Sequence, residues 1–167
     1  MRRHLYVGPA EIAAAVADDP SGRRVRSAEA LEAALEALSA EDGAMLTYVV
    51  DAEGTLRLAD RHSEHVACAA GGPVLTAGEI AFEPEGRAWR VVHASNQSTG
   101  YCPEEVSWPA LAAALDALGV VHEGAFTHPV VFRRCPACGE RNLVKDDDYR
   151  CALCEAALPI RWNFDAS

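Results

Sequence analysis

The chain has 167 residues, half of them hydrophobic and 24% charged, the profile of a soluble globular protein with room for one ordinary core and a small appendage. Its formal charge of -10 sits wholly in residues 1–128, with nine Lys/Arg against nineteen Asp/Glu, while residues 129–167 carry six of each. So acidic a chain repels polyanions, which argues against generic binding to nucleic acid or anionic membranes, and no stretch approaches the ~20 apolar residues of a membrane span.

Arg2 and Arg3 precede an apolar run ending in Ala15-Val16-Ala17, which imitates a signal peptide. Pro9 and Glu11 interrupt the run, so a first strand and a short helix over 9–17 describe it better. Asp18-Asp19-Pro20-Ser21-Gly22 is a break. Ser27 then caps a helix through Leu38, with Leu31, Ala34, Leu35 and Leu38 on one stripe. Glu29, Glu32 and Glu36 lie off that stripe, the first two near the positive end of the helix dipole. The helix ends before Glu41-Asp42-Gly43.

Residues 44–51 and 55–59 read as strands joined by a turn at Glu53-Gly54, and 79–83 with 87–94 as a second hairpin around Pro84-Glu85-Gly86. Between the hairpins, 62–78 is apolar but broken by Gly71-Gly72-Pro73. A second helix starts at Ser107 with Pro109 in its first turn, carries Leu111, Leu115 and Leu118, and stops at Gly119. Residues 130–132 form a strand that leads into the first cysteine pair. Two or three helices packed on an antiparallel sheet make an α+β fold over 1–128, with 129–167 as a further unit joined without a linker.

That unit carries the strongest signal. Cys135-Pro136-Ala137-Cys138-Gly139 is followed, after twelve intervening residues from Cys138, by Cys151-Ala152-Leu153-Cys154. Each Cys-x-x-Cys turn brings two thiolates to one ion and points backbone N–H groups at the sulfurs, and two such turns complete a tetrahedron. Gly139 stands where the first turn folds back, a place that often needs positive φ. Between the pairs, Asn142, Leu143 and Val144, then Asp146-Asp147-Asp148, then Tyr149 read as strand, turn, strand. The segment from about 133 to 160 resembles a zinc ribbon of the rubredoxin-like kind, which implies a fold and a structural zinc on Cys135, Cys138, Cys151 and Cys154, and no activity. Iron in the same thiolates, or a dithiol redox pair, are the alternatives. Residues 159–164 place Ile160, Trp162 and Phe164 at alternate positions, a strand whose apolar face packs the ribbon or offers an aromatic platform. Arg133, Arg134 and Arg141 form a local basic patch beside the metal.

A second constellation lies in residues 62–103. His65, Glu79 and His93 are candidates for acid and base, Tyr101 with them, and Asn96 and Ser98 for orienting a polar ligand. The structural alternative has Glu79 and Asn96 fixing turns and Tyr101 packing. His65, Pro73-Val74, Ala77-Gly78-Glu79, Asn96, Ser98, Tyr101 and Pro103 resemble an uncharacterised module of varied bacterial proteins, in which a Gly-His pair stands where this chain has Thr99-Gly100. That resemblance implies a shared fold element and no established reaction. Cys68 and Cys102 are spare thiols, either of which a histidine could activate, though buried cysteines mostly pack. His62-Ser63-Glu64 matches the H-x-E of zinc deaminases, but Arg134 stands before Cys135 where that signature has Pro, and two cysteines would be stranded. The expectation is a cytoplasmic zinc-binding protein whose acidic domain engages another protein, a basic one suiting its charge; an enzyme acting on a small polar ligand at His65, Glu79, Asn96 and Tyr101 is the alternative.

Overall fold

The computed structural model describes residues 1–18, 20–38 and 43–164. In chain order the elements are α1 (Ala10–Ala15), β1 (Arg23–Val25), α2 (Ala28–Ala37), β2 (Leu46–Asp51), β3 (Leu56–Asp60), α3 (His65–Cys68), β4 (Val74–Glu85), β5 (Ala88–Ala94), α4 (Trp108–Ala117), β6 (Val131–Arg134) and β7 (Arg141–Val144). Strands β1 to β5 form one antiparallel sheet in the order β1-β3-β2-β4-β5, and β6 pairs with β7 in a second, two-stranded one. The fold is α+β, as the spacing of apolar residues predicts.

Both faces of the five-stranded sheet are covered, so β2 is buried at every position. Leu46, Tyr48 and Val50 face a core completed by Leu31 and Leu35 of α2 and Leu111 and Leu115 of α4. Val49 faces the other way, into a cluster with Val66 and Cys68 of α3, Val74, Ala77 and Tyr101, edged by Tyr6 and Ile12. Alternate residues of a strand point to opposite faces, so one apolar run supplies two cores. Each fully buried leucine contributes roughly 1.5–3 kcal/mol.

Ser27 caps α2 by accepting the N–H of Ala30. Ser107 occupies the corresponding place in α4 but does not cap it: its backbone is already helical (φ -79°, ψ -4°) after the 3-10 turn Glu105–Ser107, and its hydroxyl bonds Thr76 Oγ1 at 2.9 Å instead. Gly119 closes α4 at φ 69°. The expected end of the first long helix at residues 39–42 and the break at Asp19 lie outside the described residues.

Two pieces of the sheet carry no strong sequence signal. β1 has three residues, two of them arginines, and exists because β3 offers it an edge. On the far side, β5 is flanked by parallel bridges from Arg90 to Val121 and from Ser95 to His128. Gly78 is needed where it stands, because a Cβ there would lie 2.1 Å from the carbonyl oxygen of Ser95. No helix among the described residues is long and apolar enough to cross a membrane.

The last stretch departs from expectation. Residues 159–164 form no strand: Trp162 and Phe164 pack inward while Ile160 is 68% exposed. Side chains hold this segment in place of a ladder. Asn163 exchanges two bonds with the backbone of Arg134 at 2.9 and 2.8 Å, and the Arg133 guanidinium binds the carbonyls of Pro159 and Ile160. Trp162 donates to the Cys102 carbonyl at 2.8 Å, meets the ring of His4 edge-on and lies under the guanidinium of Arg2.

Candidate metal centre

Two short loops build the centre, and their backbones repeat each other. After β6, Cys135 N–H donates to the Glu140 carbonyl and Gly139 N–H to the Cys135 carbonyl; in the second loop Cys151 N–H donates to Ala156 and Glu155 N–H to Cys151, all at 2.8–2.9 Å. Each loop folds back through a left-handed residue, Gly139 at φ 78° and Glu155 at φ 61°. Between the loops, Asp146 and Asp147 are both left-handed (φ 51° and 55°), the turn type that suits a tight hairpin. The strand expected after that turn shrinks to a single bridge between Arg150 and Ala157, because the second loop begins at once.

This brings the four sulfur atoms of Cys135, Cys138, Cys151 and Cys154 within 4.8 Å of one another. The two cross-loop pairs, Cys135–Cys154 and Cys138–Cys151, stand 3.6 Å apart, and all four thiols are free. A tetrahedron with metal–sulfur bonds of about 2.3 Å has edges of roughly 3.8 Å, so the residues fit one metal ion. They are consistent with a zinc-binding knot.

The protonation of the cluster explains what a cation would do there. Partial desolvation opposes ionisation of Cys151, but the N–H groups of Cys154 and Leu153 and the amide of Asn142 bring its thiol down to about 6. N–H groups of Cys138 and Ala137 lower Cys135. Cys138 receives the Glu140 N–H, yet desolvation and the neighbouring sulfurs push it up to about 12. Four crowded sulfurs ionise poorly together, and a divalent ion removes that conflict. Leu158, Val144, Tyr149 and Ala156 pack around Cys135 and Cys151.

Two residues here have roles that the sequence does not show. Asn142 is 5% exposed; its Oδ1 accepts the Ala152 N–H at 2.8 Å, and its Nδ2 donates to the Glu140 carbonyl at 3.0 Å and to Cys151 Sγ at 3.5 Å. Arg133, expected in a surface basic patch, is 2% exposed and binds three carbonyls and Glu105. Arg134 lies over Phe164, and Arg141 donates to the Thr99 carbonyl. The three arginines are tied into the fold rather than presented as one patch.

The second constellation divides. His65 Nε2 stands 3.0 Å from the Gly78 carbonyl, and burial holds its ring below the ordinary histidine range. Glu79 lies close enough to favour the charged forms of both His65 and His93. His93 stacks on His128 with centroids 4.2 Å apart, and burial, then His128, lower its affinity for a proton. Asn96 and Tyr101 are committed elsewhere. Asn96 accepts the Val130 N–H at 2.7 Å and donates to the carbonyls of Val130 and Pro103, while the Tyr101 hydroxyl donates to Gly72 at 2.7 Å. Ser98 is buried, its N–H on the Asn96 carbonyl and its own carbonyl accepting from Cys102. Burial pushes the thiols of Cys68 and Cys102 up to about 12, which leaves both protonated at neutral pH. Among the described residues the metal-capable cluster consists of the four cysteines alone, so His62 and Glu64 take no part in it.

No family model matches the chain, and neither a curated protein nor a solved structure does.

Proposed function

We propose that this chain is a small zinc-binding protein in which one structural zinc, held by Cys135, Cys138, Cys151 and Cys154, fixes the C-terminal segment, and which acts by binding another protein. The observation that carries the reading is the convergence of four sulfurs within 4.8 Å on two loops whose N–H groups point at them. Zinc and iron both accept four thiolates. A closed site that only holds loops together needs no change of oxidation state, which favours zinc. With four protein ligands no coordination position is left for substrate, so the ion is a staple.

The acidic residues 1–128 favour a basic protein as partner over a polyanion. A catalytic reading at His65, Glu79, Asn96 and Tyr101 draws support from the electrostatic influence of Glu79 on two histidines. It is weakened by the commitment of Asn96 and Tyr101 to backbone carbonyls.

Elemental analysis of the purified chain tests the metal, with one zinc per chain expected; a folded protein without metal, or with iron, overturns the assignment. Fluorescence anisotropy against a lysine-rich protein and against duplex DNA, across a salt series, tests the partner class. Salt-sensitive binding of the cationic protein alone is expected, and binding of DNA alone overturns it.

A further inference from the structure

The two metal loops are related position by position, so their differences are informative. Four residues after the second cysteine of each loop stand Asn142 and Leu158, both buried at 5% exposure. Leu158 packs against Cys135 and Cys151 as an apolar neighbour would. Asn142 instead places an amide against one sulfur. Its orientation is forced, because the Ala152 N–H can only donate and the Glu140 carbonyl can only accept, which leaves Nδ2 as the group facing Cys151 Sγ at 3.5 Å.

We propose that Asn142 is a positioning residue for the metal centre, clasping the second loop to β7 through the Ala152 N–H while its Nδ2–H stabilises the Cys151 thiolate and so slows loss of the metal. This rests on the zinc reading above and goes beyond it, since four thiolates alone would complete the coordination. Both halves of the role follow from what the amide touches. The Oδ1 bond ties β7 to the second loop, so lifting that loop off the strand must break it. The Nδ2 bond gives Cys151 Sγ an N–H donor from outside its own loop. A sulfur that accepts such a donor holds its negative charge at lower free energy, so it leaves the metal less readily when a competitor attacks. The N–H groups at Cys135 are those of Ala137 and Cys138 in its own loop, so the clasp makes the site asymmetric.

Two substitutions separate the halves. Asn142→Ala removes both. Asn142→Asp keeps an oxygen to accept from Ala152 but loses the donor to both the Glu140 carbonyl and Cys151 Sγ, so the release rate reads the whole amide and a signal from the sulfur itself separates the two losses. Full-length wild type and variants are loaded with zinc, their metal content is measured, and transfer to a chromophoric chelator is followed by absorbance. Release from both variants is expected to accelerate about 10–100-fold, the usual effect of losing an outer hydrogen-bond partner of a metal ligand. In cobalt-substituted protein the sulfur-to-metal charge-transfer band is expected to move to longer wavelength in Asn142→Ala, because the sulfur loses a donor. Release from Asn142→Asp at the wild-type rate, or an unmoved band in Asn142→Ala, overturns the proposal. A wild type that takes up no zinc refutes the metal assignment itself, a result that the loading step reports separately from the Asn142 comparison. If Asn142→Ala fails to fold, the charge-transfer band of cobalt-loaded Asn142→Asp decides, a shift to longer wavelength supporting the proposal and an unmoved band overturning it.

Discussion

Asn96 is where a structural and a chemical reading of the loop after β5 make opposite forecasts. Its side chain is fully buried and closes three hydrogen bonds, one accepted from the Val130 N–H and two donated to the carbonyls of Val130 and Pro103. Asn96→Ala leaves those backbone groups without their partner in a site sealed from water. Each stranded buried group costs about 1–3 kcal/mol, and partial relaxation keeps the sum below full additivity, so a loss of about 3–5 kcal/mol is expected. Against a typical total of roughly 5–15 kcal/mol that is a large fraction. Urea unfolding followed by far-UV circular dichroism on metal-loaded protein reads it as a lower midpoint at unchanged slope, and a thermal scan as a fall of about 10 °C. Asn96→Asp should be nearly as damaging, since a carboxylate can still accept from Val130 but faces two carbonyls it cannot donate to. A change below about 1 kcal/mol in Asn96→Ala would refute the reasoning and return Asn96 to the list of ligand-binding residues.

Three further outcomes follow from the same geometry. Glu155 holds a left-handed backbone (φ 61°) at the place where the first loop uses Gly139, so Glu155→Gly is expected to stabilise the fold by about 1 kcal/mol, read as a higher unfolding midpoint; an unchanged or lower midpoint would count against backbone strain there. Chelation should release residues 129–164 while sparing the sheet, whose two cores are built from residues 6–126. Far-UV dichroism would then persist as Trp162 fluorescence shifts to the red, and a single cooperative collapse of both signals would contradict this. Burial lowers the folded-state affinity of His65 for a proton, so the unfolded chain is protonated first as pH falls below about 6.5 and stability declines over that range. His65→Gln should flatten this part of the stability–pH curve relative to wild type, and an identical curve would place the titrating group elsewhere.

What could be read from the chain was whatever its chemistry expresses within a few residues. Ser27 caps its helix, Gly119 and Gly139 turn back with positive φ, and the cysteine spacing brings four sulfurs together. Groups whose partners lie far along the chain were illegible. The Ser107 hydroxyl finds Thr76 across 31 positions, and Arg133 finds the carbonyls of 159 and 160 rather than solvent. Asn142 looked like one more polar residue between two cysteine pairs, because its role depends on the second loop folding back over it. Asn96 and Tyr101 drew notice as polar residues in a loop, and nothing local indicated that backbone carbonyls would occupy their polar atoms.

The flanks of the five-stranded sheet also bear on how the protein behaves in a crowded solution. One margin is a three-residue strand bearing two arginines, and the other is bridged by the backbone at Val121 and His128. An approaching copy of the chain therefore finds few free amide and carbonyl groups in register to zip onto, and a row of positive charge where they occur. Self-templated polymerisation through strand addition is disfavoured at both ends of the sheet, so clumping of the intact protein would have to begin with local opening.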